Sequence, residues 1–210
     1  MARAYSIQQI LDKKHKTLEW SKPWSDAYGF PESTGIWFVW GNSGNGKSGF
    51  VMQLVRELAK TKRVLINELE EGNRLTFQET VKRTDIASVK KNVLVTNERF
   101  DDLNIRLQKH KSPEVVIINS IQYFGVDFPK FLKYKELYGE SKLTIINSHA
   151  EGKRPIGRTA FNIKHDADLK LWVEGFRAIS NGRYNPGCYY TINEEMASTY
   201  WGMRQPTINP

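Results

Sequence analysis

Cysteine is nearly absent. The 210 residues hold one, Cys188, which excludes an intrachain disulfide and fits a reducing cytoplasm. Nothing beside Cys188 marks its thiol as activated, so it reads as a packed strand residue and not a nucleophile. Long apolar runs are also missing. None approaches the roughly 20 residues that a membrane-spanning helix needs. Met1-Ala2-Arg3-Ala4-Tyr5 lacks the long apolar core of a signal peptide. There is no internal repeat, low-complexity tract or long linker. Negative charge is the scarcer sign, with 23 Asp and Glu against 31 Lys and Arg and a formal net charge of +8. Two readings of that excess stay open here: a polyanionic partner, most simply nucleic acid, or a basic surface kept for solubility. The rest is an ordinary globular composition in a chain long enough for one α/β domain with a sizeable core.

The most informative stretch is Gly41-Asn42-Ser43-Gly44-Asn45-Gly46-Lys47-Ser48. It fits G-x-x-x-x-G-K-[ST], the phosphate-binding loop. An apolar run, Ile36 to Trp40, precedes it. A helix-period segment follows, with Phe50, Val51, Leu54, Val55 and Leu58. Strand, glycine loop and helix is the order this motif requires. Glycines let the backbone curl so that successive N–H groups point inward at phosphate oxygens. The helix adds its positive N-terminal end. Lys47 offers a point charge to the β- and γ-phosphates, and the Ser48 hydroxyl can ligate Mg²⁺. Gly41 to Gly49 are therefore the expected nucleotide contacts, with ATP and Mg²⁺ the expected cofactors.

Before the loop, residues 1–34 read as an arm. Ser6 can cap a short helix with Ile7, Ile10 and Leu11 on one face. An aromatic, proline-punctuated stretch with Trp20, Trp24, Tyr28 and Phe30 then packs on the core or on a neighbouring subunit. After the loop helix, strands are expected at Val64–Asn67, Val93–Val95, Val115–Ile118 and Leu143–Ile146. Helices alternate with them, at Asn73–Arg83 with Leu75, Phe77, Gln78 and Val81 inward, after an Asp101 or Asp102 cap, and at Phe128–Tyr138. Residues 150–162 read as a polar basic loop. Strand-like runs at about 168–173, 176–180 and 188–192 follow, and Asn193 can cap a closing helix. Early alternation and late hairpins imply a mostly parallel sheet with helices on both faces, extended by antiparallel strands.

A phosphate loop usually works with an acid that ends an apolar strand. The strand of that character is Val115 to Ile118, and its end is Asn119. Val115 to Tyr123 resembles the Walker B region of RecA-fold ATPases, especially replicative helicases of the DnaB type. In that family an aspartate stands where Asn119 stands, and a glutamine often stands where Gln122 does. Leu65 to Glu70 is similar to the family's second strand, whose terminal glutamate orients the attacking water, and Glu70 is the match with Glu71 next. Ile145 to His149 resembles the fourth strand, with His149 at the γ-phosphate sensor. Asp166-Ala167-Asp168 is similar to a run before a core strand. Arg177 to Gly187 resembles the terminal hairpin, where Arg183 matches the arginine of a Lys-x-Arg pair and Asn181 stands in place of the lysine.

The resemblance covers roughly residues 34–192. It implies a RecA-like domain over 35–210, in which the sensor strand separates the Walker A and Walker B strands. It also implies a homo-oligomer, ring (hexameric) or filament, with ATP at subunit interfaces. Glu70, Lys47, His149 and Arg183 would be the catalytic groups, and Ser48 and Asn119 the metal site. Asn119 can accept a hydrogen bond from a metal-bound water but carries no charge. Asn119→Asp is therefore expected to raise turnover. In such rings, loops after the Walker B and sensor strands face the channel. Here they carry Lys130, Lys133, Lys135, Lys153, Arg154 and Arg158, which would neutralise DNA phosphates, single-stranded DNA being favoured. An alternative is a nucleotide-dependent assembly or switch protein with little turnover, favoured by Asn119 and Asn181. A small-molecule kinase would need an arginine-rich lid and an acceptor pocket, and would not predict the Asp166–Asp168 run or the hairpin.

Overall fold

The computed structural model describes residues 4–202; the first three residues of the arm and the last eight of the expected RecA-like domain lie outside them. Within the described residues, the short helices α1 (Ile7–Asp12) and α2 (Trp24–Tyr28) come first. They lead to β1 (Gly35–Gly41), α3 (Lys47–Leu58), β2 (Val64–Glu68) and α4 (Leu75–Arg83). A 3₁₀ turn at Ile86–Asn92 then leads into β3 (Val93–Thr96). Next come α5 (Phe100–Leu107), β4 (Val115–Asn119), α6 (Ile121–Phe124), α7 (Phe128–Tyr138) and β5 (Leu143–Glu151). The chain closes with β6 (Arg154–Pro155), α8 (Arg158–Asp166), β7 (Leu169–Glu174), β8 (Arg177–Ser180), β9 (Tyr189–Thr191) and α9 (Glu194–Trp201). No helix among the described residues is long and apolar enough to cross a membrane.

The sheet order is β3-β2-β4-β5-β1-β7-β8-β9. From β3 to β7 neighbouring strands run parallel. β8 and β9 extend the sheet antiparallel, and β6 folds back on the end of β5. The order places β5 between β1 and β4, as the resemblance implies. Central strands of a parallel sheet are buried on both faces, and the alternating side chains of β1 show it. Trp37 and Val39 enter a core shared with α3 and the arm residues Trp20, Trp24 and Tyr28. Ile36, Phe38 and Trp40 enter a second core with α5, α7 and α8.

Trp20, Trp24 and Tyr28 of the arm are spent on packing, whereas Phe30, expected to pack with them, is exposed. Trp24 stacks on Tyr190 with ring centroids 4.0 Å apart, and the buried Tyr28 hydroxyl donates to the Ala178 carbonyl at 2.9 Å. Ser6 caps α1 with a reciprocal bond to Gln9, yet α1 buries none of its residues. Asn193 caps α9 as its sequence suggests.

Four local expectations need correction. Residues 150–162 are not one loop: β5 continues to Glu151, pairs with β6, and α8 starts at Arg158. The β5–β6 hairpin needs no apolar run, because Pro155 is the buried residue of β6 and Arg154 is exposed. α5 begins at Phe100 behind Arg99, so Asp101 and Asp102 lie in its first turn instead of capping it; there they still favour the helix dipole. Leu75 and Gln78 point outward on α4, whose buried residues are Phe77 and Thr80. Cys188 is exposed in the connection before β9, not packed in a strand.

Candidate functional site

Parallel strands bring their carboxyl ends to one edge, where ligands of open α/β sheets bind. Register fixes which residues meet there. Gly41 of β1 is level with His149 of β5, and Glu68 of β2 is level with Asn119 of β4. The loop Asn42–Gly46 leaves β1 at this edge and delivers Lys47 and Ser48 into the first turn of α3. Gly46 turns the chain with φ +91°, in the left-handed region that side chains avoid, and a Cβ there would lie 2.8 Å from the Phe176 ring. At Gly41 a Cβ would lie 2.3 Å from the Val173 carbonyl oxygen. The loop is therefore packed against the β7–β8 turn. Asn45 secures it: its side-chain oxygen accepts from Gly175 N–H at 2.8 Å, and its carbonyl accepts from Phe176 N–H at 3.2 Å. Gly175 and Phe176 both have positive φ, the geometry of a two-residue hairpin turn.

Glu70 and His149 meet over this loop. Glu70 Oε2 lies 2.9 Å from His149 Nε2, with each side chain about one-third exposed (35% and 31%). Lys47 is half-buried. Burial holds its ammonium below its ordinary pKa, and the Glu70 carboxylate partly offsets that. Glu70 thus touches His149 and lies within electrostatic reach of Lys47. Gln122 steadies His149. Its side-chain oxygen accepts from His149 N–H at 3.2 Å, and its amide donates to Ser148 Oγ at 2.9 Å and the Ile156 carbonyl at 3.0 Å.

Beneath them a row of buried polar side chains crosses three strands. Asn147 donates to the Asn119 side-chain oxygen. Asn119 donates to Glu68 Oε2 at 2.6 Å. Glu68 Oε1 accepts from the backbone N–H groups of Glu70 at 3.1 Å and Glu71 at 3.0 Å. Burial pushes the Glu68 carboxyl above its ordinary pKa, against the pull of these donors. Glu68 was missed by sequence reasoning. The available signal was a charge ending a strand that is otherwise apolar apart from Asn67.

The donor set for Mg²⁺ fits in part. Ser48 stands where a phosphate loop holds the ion, and Mg²⁺ keeps waters and phosphate oxygens as its other ligands. Asn119 is turned to other partners: its amide donates to Glu68 and its oxygen accepts from Asn147. Among the described residues no group of three or more His, Cys, Asp or Glu could hold a metal.

Arg183 does not join this group. It lies at the other end of the sheet, lining a cavity of about 690 Å³ with Thr34, Gly35, Asp166 and Asp168. Asp168 there accepts from Ile36 N–H at 2.8 Å. Lys130 and Arg158 line a cleft of about 510 Å³ beside Gln122 and Ile156. Lys133, Lys153 and Arg154 are exposed, on α7, in the β5–β6 turn and on β6, whereas Lys135 is tied to Asp166 at 2.8 Å and is not a free cation.

No protein-family model matches the sequence, and no curated protein matches it. Solved structures are. A KaiC-like protein from the hyperthermophilic archaeon Pyrococcus horikoshii superposes with a TM-score of 0.59 at 17% identity, over 80% of this chain and 89% of that one. The flagellar accessory protein FlaH from Methanocaldococcus jannaschii gives 0.58 at 16%, over 85% and 92%.

Proposed function

On the premise that the chain has a RecA-type P-loop ATPase fold, we propose that it binds ATP at the carboxyl edge of the sheet and hydrolyses it. We propose further that it works as a cytoplasmic homo-oligomer, a hexameric ring or a filament, on DNA, with single-stranded DNA favoured. The Glu70–His149 contact, within electrostatic reach of Lys47 on the loop, carries the reading. Loop amides from Asn42 to Gly49 and Lys47 hold the triphosphate. Ser48 would hold Mg²⁺, which when bound neutralises charge on the β- and γ-phosphates. Glu70 orients the attacking water, and catalysis is positioning plus charge stabilisation. His149 Nε2 lies 2.9 Å from Glu70 Oε2. A γ-phosphate drawing His149 away would free the Glu70 oxygen for water. Arg183, remote from its own loop, acts on the ATP of an adjacent subunit. Lys130, Lys133, Lys153, Arg154 and Arg158 bind DNA phosphates without reading bases.

The test is solution mass with and without ATP–Mg²⁺ and single-stranded DNA, alongside phosphate release. Assembly beyond the 24.3 kDa chain with ATP turnover is expected. A monomer under every condition, or no ATP binding, would overturn the reading. A second reading has its own support: Asn119 brings no charge and its amide is engaged, and FlaH, one of the structural neighbours, is an accessory protein. In that reading ATP drives assembly or switching with little turnover. ATP-dependent assembly without phosphate release would select it.

A further inference from the structure

Glu68 has no place in the mechanism above, yet it is a fully buried carboxylate at the edge where the nucleotide would sit. Its hydrogen-bond partners are all uncharged, one side-chain amide and two backbone N–H groups. A carboxylate out of water persists only where such donors replace its hydration. In the family that the sequence resembles, the acid of this corner ends the strand where Asn119 stands. Here the acid stands one strand over, on β2, level with Asn119 across the ladder.

We propose that Glu68 and Asn119 form a buried carboxylate–amide pair in which the acid of this corner has moved from β4 to β2. Glu68 is a positioning residue that holds the turn after β2 and so aims Glu70. Asn119 is its uncharged partner and bridges to Asn147; it is not a metal ligand. The inference rests on the reading of Glu70 as the group that orients water. Three observations support it. Both polar atoms of Asn119 are used, by Glu68 and by Asn147. One Glu68 oxygen gathers the N–H groups of Glu70 and Glu71, which sets the turn from which the Glu70 side chain reaches His149. Asn147 lies two residues before His149 on β5, so the row joins the strands that carry both members of the Glu70–His149 pair. An aspartate at position 119 would place a carboxylate oxygen where an N–H now donates to Glu68 over 2.6 Å. Restoring the family's residue therefore harms this protein, the reverse of what the sequence alone suggests.

The test is a set of four proteins: the parent, Asn119→Asp, Glu68→Gln and the double variant. Each is measured for melting temperature without nucleotide or metal, for affinity towards a non-hydrolysable ATP analogue, and for ATP turnover. Asn119→Asp should melt about 10 °C lower and turn over about tenfold more slowly. Glu68→Gln alone should fold, because the Asn119 and Asn147 amides can rotate to keep the row; the Asn147 side-chain oxygen now has no partner. The double variant again sets one carboxylate against one amide. It should recover most of the melting temperature and turnover lost by Asn119→Asp, with analogue affinity within about threefold of the parent throughout. An Asn119→Asp protein as stable as the parent, or a double variant no better than Asn119→Asp, overturns the proposal. A parent that binds no analogue overturns the proposed function instead, while the melting temperatures still decide whether Glu68 and Asn119 are coupled.

Discussion

Two cationic regions of this molecule are built in opposite ways. Lys47 is half-buried at the start of a helix, on a loop pinned by Asn45 to the Gly175–Phe176 turn, with a carboxylate in electrostatic reach. Lys130, Lys133, Lys153, Arg154 and Arg158 are exposed, and no ion pair among the described residues holds them. A charge in a fixed, partly dry setting acts through geometry and resists salt. A solvated charge acts through the ionic atmosphere and is screened within about 10 Å at 0.1 M salt. One region suits a phosphate held for chemistry. The other suits a polymer held loosely along its backbone.

Lys47→Ala should break the first region most completely. ATP-analogue affinity is expected to fall about 100-fold, measured by titration with a fluorescent analogue, and a fall of less than about threefold would remove Lys47 from the phosphate site. Glu70→Gln should separate gripping from cleaving: phosphate release drops about 100-fold while analogue affinity stays level. In the second region, Lys130→Ala with Arg158→Ala should lower single-stranded DNA affinity about tenfold at low salt. The slope of log affinity against log salt should become shallower by about 1.4, because two phosphate contacts are lost. An unchanged slope would mean that the cleft does not meet the polymer.

The smallest effect is expected at a surface pair that belongs to neither region. Arg106 donates to Glu98 at 2.7 Å, and these bonds hold the Glu98 carboxyl below its ordinary pKa. Arg106 is 41% exposed, so Glu98→Gln should cost only about 0.5 kcal/mol at pH 7 by denaturant unfolding. The folded pKa is depressed, so the contribution is complete above the ordinary carboxylate pKa and disappears as pH falls through the folded value. The parent and Glu98→Gln should then converge in strongly acidic solution.

Much of the fold was legible because its signals are local. The apolar runs at 64–67, 93–95, 115–118 and 143–146 all became strands, and Phe128–Tyr138 became α7 with the expected bounds. The misses share a cause. α8 buries only Ala160 and Ile163, too few to give a helical period among its polar neighbours. β5 continues past its apolar run because β6 pairs with its polar end. The site divided along the same line. Lys47, Glu70 and His149 were named from motif and resemblance, and the structure sets Glu70 against His149 within electrostatic reach of Lys47; Arg183 was named the same way and lies at the far end of the sheet. Gln122 was noted, but its three bonds to β5 and Ile156 were not.

The sequence by itself determined the phosphate loop. A strand, a run of glycines and a lysine at a helix start are written in consecutive residues, and the backbone has few other ways to fold them. Only the tertiary structure decided what Asn119 does. Its partners are Glu68, 51 residues before it, and Asn147, 28 after it. Which buried oxygen faces which amide depends on strand order and register, and a shift of one residue would turn those side chains to the other face of the sheet.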